Sequence, residues 1–277
     1  MTAPVFSLSR YGAAVFDLDG TVWLSEVPIA GAVDWLDRCR DERLTITFAT
    51  NATTYSIPRI TEQLQACGLG RPGEAVVTGG SVVARSIAVM GVDEVVALVP
   101  PAMCDNLRAE GVSVRSANAI DPIEWSIAAP HRALVMGAFR DATVGEIEII
   151  GRLHQHGHTL YVTSLDPGFP ALGRMEPGGG LMVAAARMLY PIDPVVLGKP
   201  SKFYADAVAA SVRSDGPIVM FGDSQRADIG IAHHLGADGV LITGSSDNQP
   251  RTDEFAPTFV TERLGAPITP YHAPEHR

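Results

Sequence analysis

Short apolar runs alternate with helix-period segments along the whole chain. The runs Ala13 to Phe16, Leu44 to Phe48, Val95 to Val99, Leu134 to Met136, Thr159 to Val162, Val195 to Leu197, Ile218 to Phe221 and Val240 to Ile242 read as buried strands. Between them apolar residues recur at spacings of three and four. Ile57, Ile60, Leu64 and Cys67 end at Gly68, and Val144, Ile147, Ile150 and Leu153 end at Gly157. These are helices with one covered face. The alternation predicts an α/β fold, with parallel sheet and crossover helices.

Length makes two domains the natural expectation, since 277 residues is about twice the usual single-domain size. Apolar residues at 46% and charged residues at 19% exclude a largely disordered chain. The formal net charge is −10 and no Lys/Arg patch is present, which argues against nucleic acid and anionic membranes as partners. A phosphorylated substrate stays open, because phosphate capture depends on one or two local cations and a metal. Cys39, Cys67 and Cys104 lack CxxC spacing, so neither a disulfide framework nor a zinc site is indicated. With no signal-like N-terminus and no apolar stretch of membrane length, the expected location is the cytoplasm. The proline-containing tail after Ala266 is expected to be poorly ordered.

Candidate chemistry begins where the first run empties into Phe16, Asp17, Leu18, Asp19, Gly20 and Thr21. Two carboxylates two residues apart leave a strand on one face, and at the end of an apolar strand they need a cation or a shared proton between them. A solvated Asp-Gly turn would explain this motif alone. Three further strand ends carry Thr50 with Asn51, Gly198 with Lys199 and Pro200, and Gly222 with Asp223 and Asp228.

Other patterns have simpler explanations. Gly68, Gly70 and Gly73 satisfy GxGxxG but follow a helix rather than a strand. His154, His156 and His158 straddle a predicted helix C-terminus and read as a solvated helix end. Gly178 to Gly180 suggests close backbone approach at a helix start rather than an anion loop.

The phrases FDLDGTVW, ATNATTYS, VVLGKPS and FGDSQRADI, in this order, resemble the haloacid dehalogenase superfamily over roughly residues 13 to 243. They are most similar to its NagD-like branch of sugar-phosphate, nitrophenyl-phosphate and phosphoglycolate phosphatases. The resemblance implies a Rossmann-like parallel-sheet core, residues 1–76 plus 195–277, with an α/β cap of residues 77–194 inserted. It implies a phosphoric monoester hydrolase in which Asp17 is the nucleophile and Asp19 the general acid and base. Mg²⁺ would be held by Asp17, Asp223 and the backbone carbonyl of Asp19. Phosphate would be bound by Thr50, Asn51 and Lys199, with Ser224, Gln225, Arg226 and Ala227 at its edge. Asp228 would support the metal through water or orient Lys199, and a helix cap competes for it.

Those residues leave open a phosphotransferase or mutase, and a binding module that keeps the metal site without turnover. The implied partners are a small phosphomonoester and a second copy joined through the cap. Gly137, Ala138 and Phe139, with Thr163, Ser164, Leu165 and Asp166, depart from the family pattern, so the leaving group is not carried over.

Overall fold

The computed structural model describes residues 5–121, 123–171, 173–244 and 255–272. The first apolar run forms the strand Ala13–Phe16, buried along its whole length. It lies parallel between Thr45–Thr50 on one side and Ile218–Gly222 on the other. Beyond Ile218–Gly222 the sheet continues through Asp238–Ile242 and Phe259–Thr261 to an antiparallel edge, Thr269–Pro270. The opposite edge is Ala75–Thr78. The chain leaves the first strand to one side and returns on the other. The loops after these three central strands therefore diverge at their carboxyl ends, where an open α/β sheet forms a crevice.

Both faces of this sheet are covered, which is why its strands read as unbroken apolar runs. On one face Phe16 stacks on Phe221 with ring centres 4.8 Å apart, alongside Phe48 and Trp35 of the helix Ala32–Asp41. On the other, Tyr204, Ala205 and Val208 of the helix Lys202–Ser211 pack on Val15, Ala49 and Met220.

A second, wholly parallel sheet has the order Val195–Val196, Leu160–Val162, Arg132–Met136, Glu94–Leu98, Ser113–Ser116. Its faces have separate apolar clusters. One includes Ile150 and Leu153 of the helix Val144–Gln155, and the other Val83 and Ile87 of the helix Gly79–Val89. An antiparallel hairpin, Gly168–Ala171 with Arg174–Pro177, follows Leu160–Val162.

Several elements differ from the pattern reading. Ala75–Thr78 joins the larger sheet and Val195–Val196 the smaller, so each strand lies across the divide expected at residues 77 and 194. Hydrogen-bond pairing decides that membership, and composition carries no mark of it. The tail after Ala266 is not loose up to His272: Thr269–Pro270 pairs with Phe259–Thr261, and Tyr271 N donates to Thr258 O at 3.0 Å. Residues 273–277 lie outside the described residues.

His158 is buried rather than solvated, its Nε2 3.0 Å from Trp125 O, while His154 Nδ1 bonds His158 O and His156 is exposed. Gly178, Gly179 and Gly180 each lie where a Cβ would meet a backbone carbonyl of Ser164 to Asp166. No helix among the described residues is long and apolar enough to cross a membrane.

Candidate active site

The three central strands end side by side, and each delivers polar residues to the crevice. Phe16 is level with Phe221 and Phe48 in the two ladders, so Asp17, Gly222–Asp223 and Thr50–Asn51 emerge at one height. Asp17 N still donates to Phe221 O at 2.9 Å, which ties the start of the turn to the sheet. Gly20, at φ +89°, completes that turn, and a Cβ there would collide with the Asp223 carboxylate. Gly222 likewise leaves room for Asp228. Glycine at both positions lets the carboxylates close on the turn.

Lys199 reaches the same point from the loop after Val195–Val196. Its Nζ donates to Asp17 Oδ1 and to Asp228 Oδ1, both at 2.7 Å, and the residue is 2% exposed. The loop is stitched to the first crossover by Asn51, whose Oδ1 accepts from Lys199 N at 2.8 Å. A side chain at Gly198 would clash with Thr163 O and Asn51 Oδ1.

Asp17, Asp223 and Asp228 are all buried, and each offers a carboxylate oxygen within 4.8 Å of the others. Three buried carboxylates around one ammonium bring hard oxygen donors together, a set that suits Mg²⁺ or a similar cation. The residues present therefore fit a divalent metal.

Electrostatics separates the two aspartates of the first loop. Burial pushes the Asp17 carboxyl well above the usual range, an effect opposed by the Lys199 ammonium and reinforced by Asp228 and Asp223. Burial would lower Lys199, but Asp17 and Asp228 outweigh it and hold the ammonium above its ordinary value. Asp19 is pushed up to about 6, chiefly by burial, against the opposing effect of the nearby Trp23 side chain and Ser25 backbone. It can hold a proton near neutrality while its neighbour is paired to a cation.

The structure brings Asp17, Asn51, Lys199, Asp223 and Asp228 together, with Asp19 two residues after Asp17 and Thr50 at the adjoining strand end. Around the expected phosphate edge, Ser224 Oγ accepts from Ala227 N at 3.1 Å and caps the turn Gln225–Ile229, which leaves the hydroxyl proton to donate elsewhere. Gln225 Nε2 donates to Phe255 O at 2.9 Å, and Arg226 is exposed. Asp228 converges with Asp17 and Asp223, all three carboxylates lying close together. Both Asp228 oxygens are engaged, one by Lys199 and the other by Ser224 N at 3.0 Å, which makes it an anchor for the ammonium.

Pattern reading missed Tyr204. It is fully buried, and its hydroxyl lies 2.9 Å from both Thr50 O and Val77 O. Its only sequence signal is its place in the first turn of the helix that follows Lys199.

Comparison with known proteins agrees with this geometry. The haloacid dehalogenase-like hydrolase profile matches residues 14–113, and an HAD-hydrolase-like profile matches residues 196–267. A NipSnap protein of Caenorhabditis elegans is 28% identical, covering 87% of this chain and 50% of its own length. The D-glycerol 3-phosphate phosphatase of Mycobacterium tuberculosis is 28% identical, covering 84% of this chain and 63% of its own length. The chain thus spans about half to two thirds of these two relatives.

Among solved structures, a glycerol phosphate phosphatase from M. tuberculosis in complex with magnesium superposes with a TM-score of 0.77 at 24% identity, covering 94% of this chain and 78% of that one. NagD from Escherichia coli superposes with a TM-score of 0.76 at 17% identity, covering 92% and 97%. The two profiles, over residues 14–113 and 196–267, together take in more than half of the sequence and show that the chain belongs to the haloacid dehalogenase-like hydrolases, and its fold is that of NagD.

Proposed function

We propose that this chain is a Mg²⁺-dependent phosphatase that hydrolyses a small phosphomonoester through an aspartyl-phosphate on Asp17. The observation that carries the reading is the buried Lys199 ammonium, held between Asp17 and Asp228 at 2.7 Å each, with Asp223 alongside. A surface salt bridge would not be built this way. A fixed cation against a carboxylate that must approach a phosphate dianion is what phosphoryl transfer needs. The phosphatase names of relatives and the magnesium bound by a structural neighbour support the same reading.

In this mechanism an oxygen of Asp17 attacks phosphorus and the bond from phosphorus to the leaving oxygen breaks. Asp19 gives its proton to that oxygen. The now ionised Asp19 then takes a proton from water, which attacks the phosphoryl group and restores Asp17. Lys199 and donors of the Thr50–Asn51 turn hold the phosphoryl oxygens. Asp17 and Asp223 would hold the metal, with the Asp19 backbone carbonyl, and the ion would supply charge compensation to the phosphoryl oxygens.

The unit built on the smaller sheet acts as a cap in this reading. It meets the site at Gly198, where a Cβ would clash with both Thr163 O and Asn51 Oδ1. A cap over the crevice favours small substrates over proteins.

Phosphate release from a panel of sugar, glycerol, glycolate, nucleotide and aryl phosphates, with magnesium and with a chelator, tests the proposal. Release that requires magnesium supports it and ranks leaving groups. A folded, magnesium-loaded protein that releases nothing from any of them sinks it.

A further inference from the structure

We infer that Tyr204 is a positioning residue of the phosphate site, its hydroxyl fixing the carbonyl end of Thr50 and its ring backing the Lys199 ammonium. The inference rests on the reading of Thr50, Asn51 and Lys199 as phosphate-binding residues.

The geometry follows from a short piece of chain. Ser201 caps the helix Lys202–Ser211, accepting from Tyr204 N at 3.2 Å, and so fixes the first helical turn immediately after Lys199 and Pro200. That turn carries the Tyr204 ring back beneath Lys199, whose Nζ lies 5.8 Å from the ring centre. The distance is within the reach of a cation–π contact, which is strengthened when the pair is removed from water.

At the far end of the ring, the hydroxyl lies 2.9 Å from two carbonyls, Thr50 O and Val77 O. These belong to neighbouring strands in the register Ala49 with Val77 and Thr50 with Thr78. The two strands part company there. After Thr50 the chain forms the Asn51 turn, and Thr50 Oγ1 accepts from Ala52 N at 3.1 Å. After Val77, Thr78 caps the helix Gly79–Val89, which leads toward the smaller sheet. One hydroxyl thus ties the phosphate turn, the departure toward the smaller sheet and the Lys199 loop into one unit.

Packing alone does not ask for this residue. A buried leucine or methionine would fill an apolar site among Val15, Ala49 and Met220 without bringing a polar group that has to be satisfied. A fully buried phenol is retained where its O–H has a specific acceptor. Burial raises the Tyr204 pKa beyond its ordinary value, against the opposing Lys199 charge, so the group stays a donor to the two carbonyls.

The test compares wild type, Tyr204→Phe and Tyr204→Met, all loaded with magnesium and held well below the lowest melting temperature. Calorimetric binding of inorganic phosphate and kcat and KM on 4-nitrophenyl phosphate are measured for each. Tyr204→Phe keeps the ring and loses the clamp. It is expected to weaken phosphate binding and raise KM by about 3–10-fold with kcat within about 2-fold, the range of one lost hydrogen bond. Tyr204→Met also loses the ring and is expected to lower kcat by a further factor of about 5. A purely structural tyrosine would lower melting temperatures and leave these constants within about 2-fold per folded molecule, which would overturn the inference.

Should Tyr204→Met fail to fold, the Phe variant decides, since it removes a single oxygen. A wild type that binds phosphate but turns nothing over counts against the phosphatase reading and leaves the binding comparison standing. A wild type that binds no phosphate overturns both.

Discussion

Lys199→Met keeps most of the side chain's stem and removes the ammonium, and its consequences can be worked from the site. Asp17, Asp223 and Asp228 present oxygens within 4.8 Å of one another, so each ionised pair repels by roughly 3.5 kcal/mol or more at an effective dielectric near 20. Removing one partner from a buried pair costs about 3–5 kcal/mol, because the remaining charge cannot rehydrate. For a chain of this size that is a fall of about 6–10 °C in melting temperature when a chelator is present. Magnesium should recover part of the loss by binding the same carboxylates.

The catalytic loss should be of similar size. An ammonium about 4 Å from a phosphoryl charge contributes about 4 kcal/mol at the same dielectric. The variant is therefore expected to lose about 10³-fold in kcat on 4-nitrophenyl phosphate at saturating magnesium. A kcat within about tenfold of wild type would refute the assigned role, since ΔΔG‡ would then be under about 1.4 kcal/mol. An unchanged melting temperature in chelator would refute the electrostatic account of the cluster.

The pH dependence of the variant has a definite sign. Burial already raises the Asp17 pKa, and Lys199 opposes it. Without the ammonium, folded Asp17 binds a proton that the unfolded chain has lost. Stability from a raised folded pKa is complete below the unfolded value and disappears as pH rises through the folded one. The deficit of the variant should therefore be greatest at alkaline pH and shrink on mild acidification.

Three further outcomes are expected. Asp19→Ala should lower kcat/KM for an alkyl phosphate by about 10²–10⁴-fold and much less for 4-nitrophenyl phosphate, whose leaving group needs little protonation; equal losses would remove the general-acid role. Because burial pushes Asp19 up to about 6, wild-type kcat/KM for the alkyl substrate should decline as pH rises through that value. Gly198→Ala places a methyl against Thr163 O and 2.7 Å from Asn51 Oδ1, so it should displace the Lys199 loop and cost at least about tenfold in kcat with the sheets intact by circular dichroism. His158 is held below its usual pKa, first by burial, so the unfolded chain takes up a proton before the folded one as pH falls below about 6.5. Melting followed by the fluorescence of Trp125, 5.0 Å from His158 between ring centres, should shift down with acidification, and His158→Gln should flatten that dependence.

The legible part of the site was the part carried by strand ends. Asp17, Thr50 and Asp223 each follow an apolar run, and parallel strands buried on both faces put such ends at one edge of a sheet. Order along the chain was therefore enough to gather them. Asp228 was legible as an acid at the right interval, but its attachment to Lys199 depends on a backbone turn, Gln225–Ile229, whose hydrogen bonds are internal. The same turn is capped by Ser224, whose Oγ accepts from Ala227 N, a contact the residue pattern does not announce. Short strands such as Ala75–Thr78 and Ser113–Ser116 escaped because partly exposed residues interrupt their apolar signal.

What no linear pattern encodes is the meeting of the two sheets. Val195–Val196 pairs with Leu160–Val162 in the smaller sheet, and three residues later Lys199 is bonded to Asp17 beneath the larger one. Between them stands Gly198, where Thr163 O and Asn51 Oδ1 both close on the position a Cβ would take. In the proposed reading, a rotation of the smaller sheet would move the strand that leads into the Lys199 loop. The hydrogen bond from Lys199 N to Asn51 and the Tyr204 hydroxyl on Thr50 both oppose transmission of that movement to the ammonium. In the proposed reading the lysine would stay fixed on Asp17 if the chain on its N-terminal side turned with a cap, which is what electrostatic preorganisation requires.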